Sequence, residues 1–372
     1  MSKSKNTNNI KRFSRYKDGG LSGLANLGNT CFINSCVQVL SHTYELNQLL
    51  DSLIQSSNEG LDTELEKKQG CKFVYSSKIK NKKESIFLLE WDRLRRLLWT
   101  DNCVISPKKF IHTVQQIAEE KGNDIFTGYA QNDIGEFLLF MMECFHNTLS
   151  RNVNMSIEGN VSTSKDKMAV VCFEMIQNMY SKDYSEIWKM FYGIHVSQII
   201  SSISGEVLSF TPEPFFITHL PIPPNNKSPS LMDCFTHYSE GEEVEYRNEK
   251  TECIEPVRRS ITFWSFPDIV VIILKRANPT NFRNKNQILV DFPLEGLDLS
   301  SYVVGYNKES YIYDVYGICN HSGGNMGGHY TSFVKNANGK WYHFNDTHVD
   351  GVNDLTQLVT SKAYCLFYRK RQ

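Results

Sequence analysis

The chain has 372 residues, 41% hydrophobic and 22% charged, so a globular, soluble protein with a real core is expected. Forty Lys and Arg against 41 Asp and Glu leave a formal net charge of −1, and no overall field points to nucleic acid or an acidic membrane surface. No apolar run reaches the length of a membrane span, and no apolar signal segment opens the chain.

The first twenty residues set Lys3, Lys5, Lys11, Arg12, Arg15 and Lys17 against Asp18 alone, and read as a disordered, solvated basic tail. From Cys31 to Leu50 the apolar residues Phe32, Ile33, Cys36, Val37, Leu40, Leu46 and Leu49 recur at helical spacing, which puts Cys31 near a helix N-terminus. Residues 56–84 are polar and read as a loop or insertion. Helical patterns resume over about 86–99 and from Asp133 to Thr148, and Ser150–Asp166 reads as a surface loop.

Beyond about residue 191 the texture becomes strand-rich. Expected strands include Phe215–Thr218, Ile269–Leu274, Tyr311–Ile318, His329–Val334, Lys340–Phe344 and Tyr364–Tyr368. A helical half followed by a strand-rich half predicts an α+β fold. Ten cysteines are scattered without any C-x-x-C pair, which reads as reduced thiols inside a cell, in cytoplasm or nucleus.

Two segments nearly 300 residues apart carry chemistry. Asn26-Leu27-Gly28-Asn29-Thr30-Cys31 places a cysteine where a loop turns into a helix, where peptide dipoles favour thiolate. Equally, Asn26 and Asn29 are ordinary turn and cap residues, and the local pattern leaves that balance even. Gly327-Gly328-His329-Tyr330 offers a histidine after two small residues. A hairpin turning at Asn336–Gly339 would return Asn345 and Asp346 beside His329, where either could fix the imidazole tautomer. In a third segment, Gln131-Asn132-Asp133 leads a helix, and Asp133 with Glu136 has the spacing of a capping box.

Together and in this order, the segments resemble the ubiquitin-specific protease family of deubiquitinating cysteine peptidases. The match runs from Gly23-Leu24-Ala25-Asn26-Leu27-Gly28-Asn29-Thr30-Cys31-Phe32-Ile33-Asn34-Ser35 through Gln131-Asn132-Asp133. It continues to Gly327-Gly328-His329-Tyr330, Trp341-Tyr342, Phe344-Asn345-Asp346 and Leu366-Phe367-Tyr368, and covers about residues 21–369. The resemblance implies a papain-like catalytic domain over 21–372, with a thumb over about 21–190 and fingers and palm over about 191–372. It implies Cys31 as nucleophile, His329 as base and Asn345 as the third triad member, accepting from the imidazole Nδ1–H. Asp346 would orient the histidine or support the oxyanion site, and Asn26 would donate to the oxyanion. Asp133, Gln131, Gly327, Gly328 and Tyr330 would meet the extended tail of ubiquitin.

Many relatives hold a structural zinc in the fingers with two C-x-x-C pairs. Here only Cys253 stands in the aligned stretches, so a metal-free fingers region and no cofactor are expected. The partners implied are ubiquitin and ubiquitinated proteins, with no nucleic acid and no membrane, and a monomer is the working expectation. An inert ubiquitin-binding module and a protease for another ubiquitin-like modifier stand as alternatives.

Overall fold

The helix that begins with Cys31 is buried at every position. This helix, α1 (Cys31–Ser41), therefore has to satisfy its own polar side chains. Gln38 donates to the Ser22 carbonyl at 2.8 Å and Ser41 to the Gln38 carbonyl at 2.9 Å. The continuous pattern expected to Leu50 is broken after Ser41, and a second helix, α2 (Tyr44–Gln55), follows. The break has a local cause. His42 Nδ1, Thr43 Oγ1 and Asn47 Nδ2 donate to the carbonyls of Gln38, Val39 and Ser41, taking acceptors that a continuing helix would use.

The computed structural model describes residues 12–55, 82–248, 252–277, 285–324 and 327–372. Most of the polar stretch expected as a loop over 56–84 thus lies outside the described residues, and from Lys82 the chain is helical. The remaining helices are α3 (Lys82–Leu98), α4 (Lys108–Glu120), α5 (Ile134–Leu149), α6 (Ser164–Asp183), α7 (Glu186–Phe191) and α8 (Leu231–Glu240). A short parallel pair, β1 (Gly23–Leu24) with β2 (Val104–Ile105), precedes the main sheets.

The fingers are an antiparallel sheet of β3 (Gly193–Ser201), β4 (Val207–Phe215), β6 (Glu242–Arg247) and β7 (Ile254–Ser265), ordered β4-β3-β7-β6. The palm contains β5 (Ile217–Pro221), β8 (Ile269–Lys275), β9 (Leu297–Asp298), β10 (Ile312–Gly324), β11 (Gly327–Lys335), β12 (Trp341–Asn345), β13 (His348–Val352) and β14 (Ala363–Lys370). Its order is β13-β12-β11-β10-β14-β8-β5, with β9 against β10, and only β5 runs parallel to its neighbour.

β8 explains how the halves join. Ile269, Val271 and Ile273 enter the core shared with α1, α3, α4 and α5. Val270, Ile272 and Leu274 enter a second core with Phe235 of α8 and Leu366 and Tyr368 of β14. The unbroken apolar run is what a strand buried on both faces requires. Mixed helices and sheets of this arrangement are the expected α+β class.

The basic tail is corrected in part. Phe13 and Tyr16 are buried against Tyr44 and beside Trp99, and Asn336 donates to the Gly19 carbonyl at 2.9 Å. Two large aromatic rings anchor residues 12–20 to the body despite the flanking charge. Residues 1–11 lie outside the described residues. The nine described cysteines form no disulfide with one another.

Candidate active site

The site is built where α1, β11 and the β12–β13 hairpin converge. β11 pairs with β12 from Ser332↔Phe344 to Lys335↔Trp341, across a turn in which Gly339 N–H donates to the Asn336 carbonyl. That register returns Asn345 to His329, whose Nε2 lies 2.7 Å from Asn345 Oδ1. The hairpin expectation holds, but the ring nitrogen differs. Nε2 meets the amide rather than Nδ1, because the ring approaches Asn345 by its far edge. With a carbonyl oxygen as partner, Nε2 carries the proton, and Nδ1 is left as the basic nitrogen.

Asp346 does not reach for the histidine. It sits at φ +50° in the two-residue turn between β12 and β13, a left-handed position that Asp tolerates better than most residues. Its Oδ2 accepts from Asn26 Nδ2 at 3.0 Å and its Oδ1 from Asn34 Nδ2 at 2.8 Å. Its carbonyl accepts from Leu24 N–H at 2.8 Å, tying the segment before Cys31 to this turn. The approach is close enough that a Cβ on Gly23 would meet the Thr347 carbonyl oxygen at 2.2 Å, so only glycine fits there.

Asn26 is held at both ends. Its Oδ1 accepts from Gly28 N–H and Thr30 N–H, each at 3.1 Å, while Nδ2 faces Asp346. The turn reading of Asn26 is therefore correct, and it also fixes the direction of the amide donor. Asn29, at φ +54°, donates to the Tyr129 carbonyl at 3.0 Å and tethers the loop to the α5 approach.

Cys31 is the first residue of α1 and only 3% exposed. Burial pushes its thiol above the ordinary range. The Tyr330 N–H opposes that shift and the Asp346 carboxylate adds to it. In the free protein, desolvation outweighs the thiolate preference expected from the helix terminus.

Gln131 bridges the cleft beside the thiol. Its Nε2 donates to the Gly328 carbonyl at 2.5 Å, and its Oε1 accepts from Gly328 N–H at 2.7 Å. Gly328 is glycine for a packing reason. A Cβ there would meet the Ser322 carbonyl oxygen at 2.3 Å and His321 Nε2 at 2.5 Å.

Asp133 caps α5, accepting from Gly135 N–H at 2.7 Å, two residues on, rather than from the Glu136 N–H that a capping box uses. Its other oxygen accepts from Tyr364 Oη at 2.6 Å. Beside it opens a cleft of about 310 Å³ lined by Gln131, Asp133, Lys285, His321, Gly327, Tyr330 and Tyr364. Tyr330 is itself 3% exposed and stacks on His321 at 4.4 Å, so it forms the wall of the cleft. Lys285 Nζ lies 2.6 Å from His321 Nδ1. Burial, then the Arg276 charge, lowers the Lys285 amine to about 8, and burial with Lys285 lowers His321 to about 4.

Sequence reading missed Asn34 and Lys285. Asn34 follows Cys31 by one helical turn, a spacing that puts both on one face, but nothing local names a partner 312 residues away.

At the fingertip, the described residues do not suit a structural zinc. Glu255 accepts from Ser201 Oγ at 3.0 Å and from Asn248 Nδ2 at 2.5 Å, joining the strand ends by neutral donors around one carboxylate. Among the described residues no group of three or more His, Cys, Asp and Glu side chains is arranged to hold a metal.

A cysteine at the mouth of a central helix, facing a sheet that carries a histidine–amide pair, defines a papain-like cysteine peptidase architecture. Comparison with known proteins narrows it. Residues 22–368 match the family model described as ubiquitin carboxyl-terminal hydrolase. Ubiquitin carboxyl-terminal hydrolase 2 of Homo sapiens is 32% identical over 365 residues, covering 94% of this chain and 55% of the relative. Its namesake in Gallus gallus is 31% identical over 363 residues, covering 94% of this chain and 93% of the relative. The chain spans about half the length of the Bos taurus, Rattus norvegicus and Homo sapiens relatives. The SAGA Ubp8/Sgf11/Sus1/Sgf73 DUB module bound to ubiquitin aldehyde shares the fold, with a TM-score of 0.69 at 22% identity over 96% of this chain and 71% of that one. The chain belongs to the ubiquitin-specific protease family of ubiquitin carboxyl-terminal hydrolases. Among the described residues no helix is long and apolar enough to cross a membrane.

Proposed function

We propose that this protein is a thiol-dependent deubiquitinase, hydrolysing the bond after the C-terminal glycine of ubiquitin through Cys31, His329 and Asn345. The observation that carries the reading is the 2.7 Å contact of His329 Nε2 with Asn345 Oδ1, on the strand that faces the N-terminus of the Cys31 helix. Asn345 holds the proton on Nε2 and leaves Nδ1 to take the Cys31 proton as sulfur attacks the carbonyl carbon. The tetrahedral oxyanion is met by the second Nδ2–H of Asn26, whose first is committed to Asp346. Collapse expels the amine, protonated by His329, and leaves an acyl-enzyme. Water deprotonated by His329 then releases ubiquitin and restores the thiol.

Asp346 acts on Asn26 rather than on the histidine. The cleft beside Gln131 and Asp133 takes the extended tail, and the fingers and palm take the globe. Ubiquitin and ubiquitinated proteins are the partners, a monomer suffices for the chemistry, and the compartment is cytoplasm or nucleus, where such conjugates occur. The fingers work without metal, held by strand pairing and the Glu255 bridge.

The test is intact mass after incubation with a ubiquitin probe bearing a C-terminal electrophile, for wild type and Cys31→Ser. A single adduct that requires Cys31 is expected. Absence of an adduct from folded, reduced wild type sinks the reading, and exclusive labelling by another modifier's probe reassigns the substrate.

A further inference from the structure

β11 is paired with β10 along its length, from Gly317↔Val334 to Gly324↔Gly327. On its other side, β12 covers it only from Ser332 to Lys335. Gly328 lies on the part that β12 leaves uncovered, and it is exposed. In an antiparallel strand the N–H and C=O of one residue point to the same side, so Gly328 offers a complete main-chain pairing site at that edge.

The Gln131 amide fills it. Its oxygen takes the Gly328 N–H and its nitrogen the Gly328 carbonyl, reproducing the two bonds that one residue of an added strand would make. The partners are complementary, so the orientation of the amide is fixed by them. The same Nε2 lies 3.9 Å from Cys31 Sγ. An acyl carbon must come within about 3–3.5 Å of that sulfur to be attacked, so this nitrogen stands beside the sulfur that the carbon has to approach.

We propose that Gln131 is a latch displaced by substrate: in the free protein its side-chain amide stands in for the main chain of the tail, closing both the β11 edge and the approach to Cys31. The proposal rests on the deubiquitinase reading for the identity of the tail, but not for the latch itself. Binding exchanges the two Gln131 bonds for two from an extended main chain. The closed state lowers apparent affinity by the fraction of molecules that are open.

Two readouts on the full chain test it, for wild type, Gln131→Ala and Gln131→Asn, whose shorter side chain cannot reach both Gly328 groups. The first is the rate of Cys31 alkylation by iodoacetamide, followed by peptide mass with Cys31→Ser as control. The second is KM and kcat on a ubiquitin–fluorophore conjugate. Faster alkylation and a KM lowered about 3- to 10-fold with kcat little changed are expected of both variants. Alkylation no faster than wild type overturns the latch, and so does a raised KM, which would make Gln131 a ligand of the tail. The alkylation arm uses no ubiquitin, so it reads the latch even if the conjugate is not turned over. That second failure would count against the functional reading instead.

Discussion

Asn26 Nδ2 and Asp346 Oδ2, 320 residues apart in sequence, meet at 3.0 Å and join the loop before the cysteine to the turn after the histidine's partner. The contact is a further hold on an amide whose oxygen already accepts from Gly28 and Thr30 N–H. Asn26→Ala is expected to lower kcat by roughly 100- to 1,000-fold, the loss typical of one oxyanion donor. Asp346→Ala should lose a large part of the same factor, and the double variant little more than Asn26→Ala alone. Steady-state kinetics of the four proteins check this. Full additivity would show that Asp346 acts elsewhere.

The pH dependence of Cys31 follows from its burial. Its thiol is held above the ordinary value, so the neutral form dominates at neutral pH, and thiolate appears only as pH rises past the usual thiol range. Iodoacetamide alkylation of the free protein should therefore rise with an inflection above that range. An inflection well below it would mean a preformed thiolate–imidazolium pair.

Arg369 carries a prediction about stability alone. It is largely enclosed by Phe13, Tyr44 and Tyr316, at 5.1, 4.9 and 4.2 Å from their ring centroids, with 13% of its side chain exposed, and its Nε meets both Glu45 oxygens at 2.9 and 3.1 Å. Removing it leaves Glu45 facing aromatic rings without its counter-charge. Arg369→Ala should cost about 3–5 kcal/mol in denaturant unfolding. Arg369→Lys recovers only part, since an ammonium cannot reproduce the planar stacking. A loss below 1 kcal/mol would contradict the burial argument.

His42 sets an acid limit. Burial lowers it from 6.5 to about 4, so the folded protein keeps it neutral while the unfolded chain is protonated below about 6.5. Stability from this group is fully present above that pH and is lost as pH falls towards 4, by about 3 kcal/mol in all. The sign follows because the unfolded state binds the extra proton. Urea midpoints from pH 7 to 4 should fall less steeply for His42→Gln than for wild type, and parallel slopes would refute it.

Much of this was legible in the chain. The hairpin from His329 to Asn345 could be read from two alternating runs and an Asn…Gly turn, and β8 from six consecutive apolar residues. Other elements carried local signals that went unread. α4 repeats Phe110, Ile111, Val114 and Ile117 on one face, and α8 opens with a complete capping box between Ser230 and Asp233. α6 begins at Ser164, inside the stretch read as a loop, behind a capping box of Thr163 and Asp166. What no local pattern could show is pairing at long range. The direction of Asp346, the carbonyl that Gln131 seeks and the dominance of burial over the helix dipole at Cys31 exist only once the chain has closed.

β7 and β8 give this closure a mechanical sense. β7 runs the length of the fingers from Ile254 to Ser265, and after three intervening residues the chain enters β8, whose side chains are clamped from both faces. The fingers are thus a cantilever rooted beside a strand packed on both faces. A load placed at the tip is delivered as torque to β8, beside the β5 edge of the palm, with β14 next to it and, beyond β14, β10 and the histidine strand.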